Sequence, residues 1–483
     1  MNSSQIDVPL PGGSDDSQRR RHSRLRRRLL TGHWHRDLER HLRFHFPLTR
    51  VAEFGKPDLS RNLFSTVVRQ LSVLYDTTPT IGHDSASDEM ALALDSAGLW
   101  QLAQRNQRSV LGARESLIRV DVQPRGDVQF RLVPPDLVFA EALPDTPDLP
   151  ALLVEARPRT LPGAAEAIWT WDFFDIRNPE EPIYRVLQAD DGKKPEDAKD
   201  LSQVFLGGDF SGSAYPFRHS GGGPFIPYSL YHAERTGSLW DAWTGREQVE
   251  GSLTLACLWT FFLHAVKQAS WPQRYSVGAI LRGATAEGED MAARSQVAAD
   301  PTSILQFMPD GTATPQLGQW QAGVDPERLE VALASFERNL IGHYDLSPGD
   351  LQRQGGAESG YAISLRREAV REAQRRFEPQ FRRADLDLIQ KTAALLGLPD
   401  EGWSISYPGL PKSGEEVRAE VELMRSDMDA GLASPVDLLL ARRPGMTREA
   451  AVDHLFKIEA EKRQLAAAGI AVKPTTPTGG TRT

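Results

Sequence analysis

The sequence has 483 residues, which is too long for one hydrophobic core and predicts several structural units. Its 56 basic and 65 acidic residues give a net charge of -9, a balance that argues against a protein that simply coats nucleic acid. Cys257 is the only cysteine, so no intrachain disulfide can form and we expect a protein made in a reducing compartment.

The N-terminal residues 1–44 predict a flexible basic arm. The first residues are rich in Ser, Gly, Pro and Asp, and a dense arginine segment follows. A solvated helix face or flexible tail explains this segment as well as a contact with phosphate or with an acidic surface of a partner. The arginines concerned are Arg19, Arg20, Arg21, Arg24, Arg26, Arg27 and Arg28.

Residues 45–236 predict an α+β unit with mostly antiparallel strands. Helical spacing at 63–74 precedes two runs of alternating side chains, 116–122 and 128–133, which flank a turn segment and predict a β-hairpin. Further strand-like runs cover 152–156, 167–176 and 183–187. Together they indicate a sheet-containing unit.

Two helical segments, 237–271 and 325–345, enclose an insert of residues 272–324. The first contains an apolar run at 253–266, which is shorter than the ~20 residues that cross a bilayer and is typical of a helix buried by protein. The insert contains strand-like pieces at 275–281 and 303–307. Because it joins two helices, we expect it to project from their far end as a small α/β subdomain.

A loop at 346–360 separates the second helix from a longer one. Ser347-Pro348-Gly349 stops the first helix, and helical spacing resumes from Tyr361. Pro379 lies inside the new pattern, so residues 361–411 predict a kinked helix and a return to the α+β unit through a strand at 403–407. Residues 412–470 then predict a helical domain, at 415–430, 435–442 and 447–468, before a disordered tail at 471–483.

Catalytic and metal-binding patterns are weak throughout. Cys257 lies among apolar residues and is interpreted as a buried structural thiol. The glycine-rich segments at 207–212 and 221–224 lack the Lys-Ser or Lys-Thr of a phosphate-binding loop. His41 and His45 are one helical turn apart without an evident third ligand, which argues against a metal. We therefore predict no enzyme activity, no cofactor and no metal.

One acidic pair could imitate the carboxylates of a glycosidase. Asp172 and Asp175 lie in a predicted strand, where positions three apart face opposite sides of the sheet. The pattern favours a solvated strand over a catalytic pair.

The order of these parts resembles that of the portal proteins of tailed bacteriophages. The order is an α+β unit, a buried helix, a projecting insert, a second helix, a loop, a long kinked helix and a helical tail. Local segments that support the resemblance are FIPYSLYH at 225–232, ESGYA at 358–362, GLASP at 431–435 and TREA at 447–450. The resemblance extends across most of residues 45–465.

This resemblance implies a ring of identical subunits, usually twelve, at one capsid vertex, through which double-stranded DNA is packaged and ejected. It implies a wing (45–236), a stem (237–271 and 325–345), a clip (272–324), a tunnel loop (346–360) and a crown (412–470). The implied partners are a large terminase, the major capsid protein and a head-completion or adaptor protein, with no membrane. The location would be the virion, after assembly in the host cytoplasm.

The tunnel loop is the candidate DNA contact in this reading. It carries Asp350, Gln352, Arg353, Gln354 and Glu358, so its formal charge is close to neutral. Weak contacts without sequence preference suit a channel, because each neutralised phosphate adds affinity and tight binding would stall translocation. Arg353 is the best single contact, although a merely flexible connection explains the loop composition too.

Two other classes of function agree with the sequence. A soluble monomeric or dimeric enzyme or binding module with a long helical hairpin would form small particles. A capsid scaffold without a channel would form assemblies that lack an axial hole.

Overall fold

The computed structural model describes residues 9–45, 57–122, 127–190, 194–206, 215–241, 243–270, 273–277, 279–281, 307–309, 316–320, 325–346, 360–409, 414–442 and 447–467. Within these ranges the fold is mixed α+β with antiparallel sheets. The described residues form two compact units. The first contains those of Met1–Gln354 and Glu368–Leu410, and the second contains those of Gly355–Arg367 and Pro411–Thr483.

The N-terminal part of the first unit is mainly helical. Its elements are α1 (Ser14–Thr31), α2 (His35–His45), α3 (Leu63–Leu71), β1 (Thr80–Gly82), α4 (Ser87–Ser96) and α5 (Leu99–Ala113). The expectation of a flexible arm at 1–44 is wrong for α1 and α2. Leu29, Leu38 and Leu42 are buried in the core, and the apolar area they remove from water holds both helices against the body.

Two antiparallel sheets follow. The elements are β2 (Glu115–Val122), β3 (Val128–Val133), β4 (Val138–Leu143), β5 (Thr146–Thr160), β6 (Ala167–Asp175), β7 (Ile183–Gln188), the short α6 (Ser202–Leu206) and β8 (Tyr228–His232). One sheet has the order β3-β2-β8 and the other β4-β5-β6-β7. The predicted hairpin is confirmed, because β2 pairs with β3 from Leu117 opposite Val133 to Val122 opposite Val128.

Strand β8 joins the first sheet from a distant part of the chain. Leu117 of β2 lies opposite Leu230 of β8. The side chains of Leu117, Phe174 and Tyr228 are fully or almost fully buried in one apolar cluster. Burial of these side chains therefore ties the two sheets to each other.

The next elements are α7 (Arg246–Ser270), the strands β9 (Gln273–Val277), β10 (Ala279–Leu281), β11 (Phe307–Pro309) and β12 (Gln316–Trp320), and α8 (Pro326–Gly342). β9 pairs with β12 and β10 with β11, both antiparallel. The helix predicted from residue 237 begins later, at Arg246. Gly237 and Gly245 have φ angles of 76° and 73°, a left-handed conformation that a helix cannot contain.

The rest of the first unit consists of α9 (Gly360–Leu396), which begins in the second unit, and β13 (Ser404–Ser406). Pro379 lies inside α9, as predicted. Strand β13 pairs with β1, from Thr80 opposite Ser406 to Gly82 opposite Ser404. The second unit also contains α10 (Gly414–Asp429), α11 (Pro435–Arg442) and α12 (Arg448–Ala467), close to the predicted bounds.

Candidate functional site

Helices α7 and α8 approach each other closely at a glycine. A Cβ atom at Gly251 would lie 2.6 Å from Leu340 Cδ1, nearer than real Cβ atoms come to other atoms. At the same end of the pair, Gln248 Nε2 donates a hydrogen bond to His343 O at 2.9 Å. The start of α7 therefore lies beside the end of α8, as in an antiparallel pair joined at the other end by the insert.

The residues that follow α8 lead towards α9. Tyr344 and Leu346 are buried, and burial raises the pKa of the Tyr344 hydroxyl well above its ordinary value. Between them, Asp345 has a φ of 57° and pairs with Arg376 Nη1 of α9 at 2.8 Å. Both partners are exposed, so this ion pair contributes ~0–1 kcal/mol and serves mainly to orient the chain. The junction immediately precedes the predicted tunnel loop.

Beyond Pro379, α9 is anchored by a buried carboxylate. Asp385 accepts hydrogen bonds from the hydroxyls of Tyr75 and Tyr231, each at 2.7 Å, and from the hydroxyl of Tyr407. Burial raises the pKa of Asp385 to about 6, against the lowering effect of the three hydroxyl donors. These tyrosines come from three separate parts of the chain, so Asp385 joins α9 to the segment after α3, to β8 and to the segment after β13.

Two further polar contacts fix the same half of α9 to β8. Ser229 Oγ donates to Asp387 Oδ2 at 2.6 Å, and Lys391 Nζ donates to Tyr228 O at 2.7 Å. The sequence interpretation missed this anchor. Its signal is an acidic residue, Asp385, inside the apolar stripe of Phe381 and Leu388, where an unpaired charge would be costly.

Several arginines of α1 bind acidic side chains of the same protein. Arg27 makes a bidentate pair with Asp136, with distances of 2.9 Å from Nε to Oδ1 and 2.6 Å from Nη2 to Oδ2. Arg24 Nε lies 3.6 Å from the same carboxylate, and Arg28 Nη2 lies 2.7 Å from Asp37 Oδ1. Asp136 is completely buried, so the two arginines supply the charge that its burial requires.

The other arginines of the cluster have different surroundings. Arg19 is buried and donates to Val138 O at 2.6 Å, and Arg26 is buried and donates to Thr244 O at 2.7 Å. Arg20 is also buried and pairs with Asp16. Arg21 is exposed. Intramolecular contacts thus account for most of this cluster, and a contact with DNA, capsid or a neighbouring subunit stays a prediction.

The chain is similar in structure to two chains of gene transfer agent particles. The first belongs to the virion of a native gene transfer agent particle, with 13% identity, a TM-score of 0.40, and coverage of 89% of this chain and 94% of that chain. The second belongs to the neck of an empty particle computed with C6 symmetry, with 13% identity, a TM-score of 0.39, and coverage of 78% and 88%. No family model matches the sequence, and no curated protein matches it.

The tunnel-loop candidates lie outside the residues that the structure describes. These are Asp350, Gln352, Arg353, Gln354 and Glu358. Their predicted role as weak DNA contacts therefore stays a prediction. Of the loop residues 346–360, the structure describes Leu346 and Gly360, the first residue of α9.

Within the described residues, no group of three or more His, Cys, Asp or Glu side chains could hold a metal ion. The rings of His41 and His45 lie 4.9 Å apart, and burial followed by the proximity of His45 lowers the pKa of His41. Cys257 is buried, and burial raises the pKa of its thiol to about 12. A thiol with this pKa is protonated at neutral pH and is a poor nucleophile.

The interpretation of Asp172 as a solvated strand residue is wrong. Its carboxylate is completely buried and lies 2.5 Å from both Arg119 Nη1 and Arg159 Nη2. Burial opposes ionisation, but the two guanidinium groups hold the pKa of Asp172 below its ordinary value. Asp175 lies at the end of the strand and pairs with Arg177, so the two carboxylates do not form a catalytic pair.

Helix α7 is long and apolar enough to cross a membrane, with a mean hydropathy of 1.4 over Arg246–Lys267. The core helix of a globular domain satisfies the same criterion. In α7, Val249, Leu253 and Ala256 are buried among side chains of the first unit, whereas Leu263 is 51% exposed. The first half of α7 therefore packs as a core helix.

Proposed function

We propose that the chain is a portal protein that forms a ring at one capsid vertex, through which double-stranded DNA is packaged and ejected. In this proposal the α7–α8 pair is the stem, β9–β12 belong to the clip, residues 346–360 form the tunnel loop and residues 412–470 form the crown. The protein is not an enzyme and needs no cofactor or metal. Its partners are further copies of itself, a large terminase, the major capsid protein and a head-completion or adaptor protein.

The observation that carries this proposal is the helix pair and its connection to α9. The pair is closely packed at Gly251 and Leu340, and it carries a β insert at one end. At the other end, the buried Tyr344 and Leu346 lead into the loop before a long helix. Such a pair can line a channel when identical subunits repeat around an axis, with the loop at the constriction.

The oligomeric state tests the proposal directly. A portal predicts a large closed ring built from heterologous contacts, in which one surface of each subunit binds a different surface of the next. Negative-stain electron microscopy and light scattering of the purified protein should show rings with an axial hole. Small particles would support a monomeric or dimeric enzyme or binding module, and assemblies without a hole would support a scaffold.

The tunnel loop offers a second test. Replacing Arg353 by Ala should reduce DNA packaging or retention, because this side chain is the only cation among the proposed loop contacts. Arg105→Ala on α5 is a matched control, since it removes the same charge from an exposed position outside the α7–α8 pair. Unchanged packaging and retention in Arg353→Ala particles would count against a DNA contact by this residue, while rings in the microscope would still support the portal assignment.

A further inference from the structure

A cleft of about 1080 Å³ lies over one face of the β4-β5-β6-β7 sheet. Phe139, Val154 and Phe173 lie opposite one another on adjacent strands, so their side chains share the face that forms the floor. Trp171 lies two residues from Phe173 and completes this apolar floor. The cleft is therefore large enough for several side chains and apolar at its base.

The rim of the cleft is cationic, although the whole chain has a net charge of -9. Six basic side chains line it, against three acidic ones. The basic residues are Arg20, Arg21 and Arg24 from α1, and Arg177, Arg185 and Lys194 from the opposite side; the acidic ones are Glu141, Asp190 and Glu196. Arg20, Arg24 and Arg177 pair with Asp16, Asp136 and Asp175 of the same chain, so the remaining cations, Arg21, Arg185 and Lys194, are those that favour an anionic ligand.

Three of these cations are available to a ligand. Arg21 is exposed and makes no hydrogen bond or ion pair with the part of the chain that the structure describes. Arg185 Nε lies 3.9 Å from Asp200, and Lys194 Nζ lies 3.8 Å from Glu196. Long, exposed ion pairs contribute little to stability, so a carboxylate of a ligand can replace Asp200 or Glu196 as the partner at small cost in free energy.

The chain itself places a short peptide segment in this cleft. Residues 9–11 run along one side of it: Trp171 Nε1 donates to Pro9 O at 2.6 Å, and Arg20 Nη1 donates to Pro11 O at 3.0 Å. Leu10 packs against the buried side chains of the same sheet face. Backbone carbonyls thus bind the polar groups at the edge, while an apolar side chain packs on the sheet.

We propose that this cleft binds an extended segment of a partner protein that carries acidic side chains alternating with large apolar ones. The carboxylates bind the cations of the rim, and the apolar side chains pack on Phe139 and Phe173. Duplex DNA fits this chemistry poorly, because it presents phosphates on a rigid backbone and has no side chain to bury on the floor. The proposal does not depend on ring formation, since every residue it uses lies in one subunit.

Fluorescence anisotropy with a short fluorescein-labelled peptide, in which Glu alternates with Leu and Phe, tests the proposal on the full-length protein. The double variant Arg21→Glu/Arg185→Glu should weaken binding by about tenfold or more, which corresponds to about 1.4 kcal/mol. Arg105→Glu/Arg108→Glu makes the same charge change on the exposed face of α5 and should leave binding unchanged. Phe173→Ala should also weaken binding, with an unchanged circular dichroism spectrum.

Three results would overturn the proposal. One is wild-type binding by Arg21→Glu/Arg185→Glu, or the same loss in the α5 control. A second is equal binding of a peptide in which Ser replaces Leu and Phe, because the floor would then contribute nothing. The third is binding of a labelled DNA duplex with the same dependence on Arg21 and Arg185, which would identify a polyanion site. Electron microscopy of each variant separates these results from a loss of ring formation.

Discussion

Replacing Asp385 by Ala should strongly destabilise the first compact unit. The hydroxyls of Tyr75, Tyr231 and Tyr407 would lose their common acceptor in a site where all three side chains are buried. Each buried donor left unsatisfied costs about 1–3 kcal/mol. Three such losses, partly offset because a carboxylate no longer has to be buried, predict a decrease of about 3–6 kcal/mol in the free energy of unfolding.

Urea denaturation followed by tryptophan fluorescence measures this change, with Tyr407→Phe and Asp387→Ala as controls. Tyr407→Phe removes one donor and leaves Asp385 two others, so it should lower the free energy of unfolding by about 1–2 kcal/mol. Asp387→Ala removes a partly exposed carboxylate two residues further along α9 and should lower the free energy of unfolding less than Asp385→Ala. A loss for Asp385→Ala no larger than that for Tyr407→Phe would refute the view that this carboxylate joins three segments.

Three further predictions follow from buried contacts. Gly251→Ala should lower the free energy of unfolding by about 1–3 kcal/mol because the added methyl group clashes with Leu340. Adding Leu340→Ala should restore part of that loss in the double variant. Burial lowers the pKa of His232 from 6.5 to about 4. Between pH 6.5 and pH 4 this histidine is protonated in the unfolded chain but neutral in the folded protein. The free energy of unfolding should therefore fall by about 3 kcal/mol as the pH falls from 6.5 to 4. The variant His232→Leu should lack this contribution in thermal melts measured across the same pH range. Native α1 should resist trypsin despite its arginines, and Asp136→Ala should accelerate cleavage within α1, as measured by mass spectrometry. Rapid cleavage of α1 in the unmodified protein would contradict a packed helix.

Most helices and strands could be predicted because their signals are local. Helical spacing, the Asp325 cap and Pro326 predicted α8, and Asp325 indeed accepts a hydrogen bond from Glu327 N at 3.0 Å. Side-chain alternation predicted β2 and β3, whose hairpin partner is close in sequence. Pairing of β2 with β8 carried no comparable signal, because the partner strand lies far along the chain.

The sequence by itself determined the periodic elements, the absence of disulfides and the order of segments on which the portal proposal depends. Tertiary structure decided the environment of each charge. The arginines of α1 have the composition of a flexible arm, yet Asp136 and the carbonyls of Val138 and Thr244 bind several of them in the folded protein. Whether a charged side chain is solvated or buried depends on partners brought together by folding, and neither spacing nor composition records those partners.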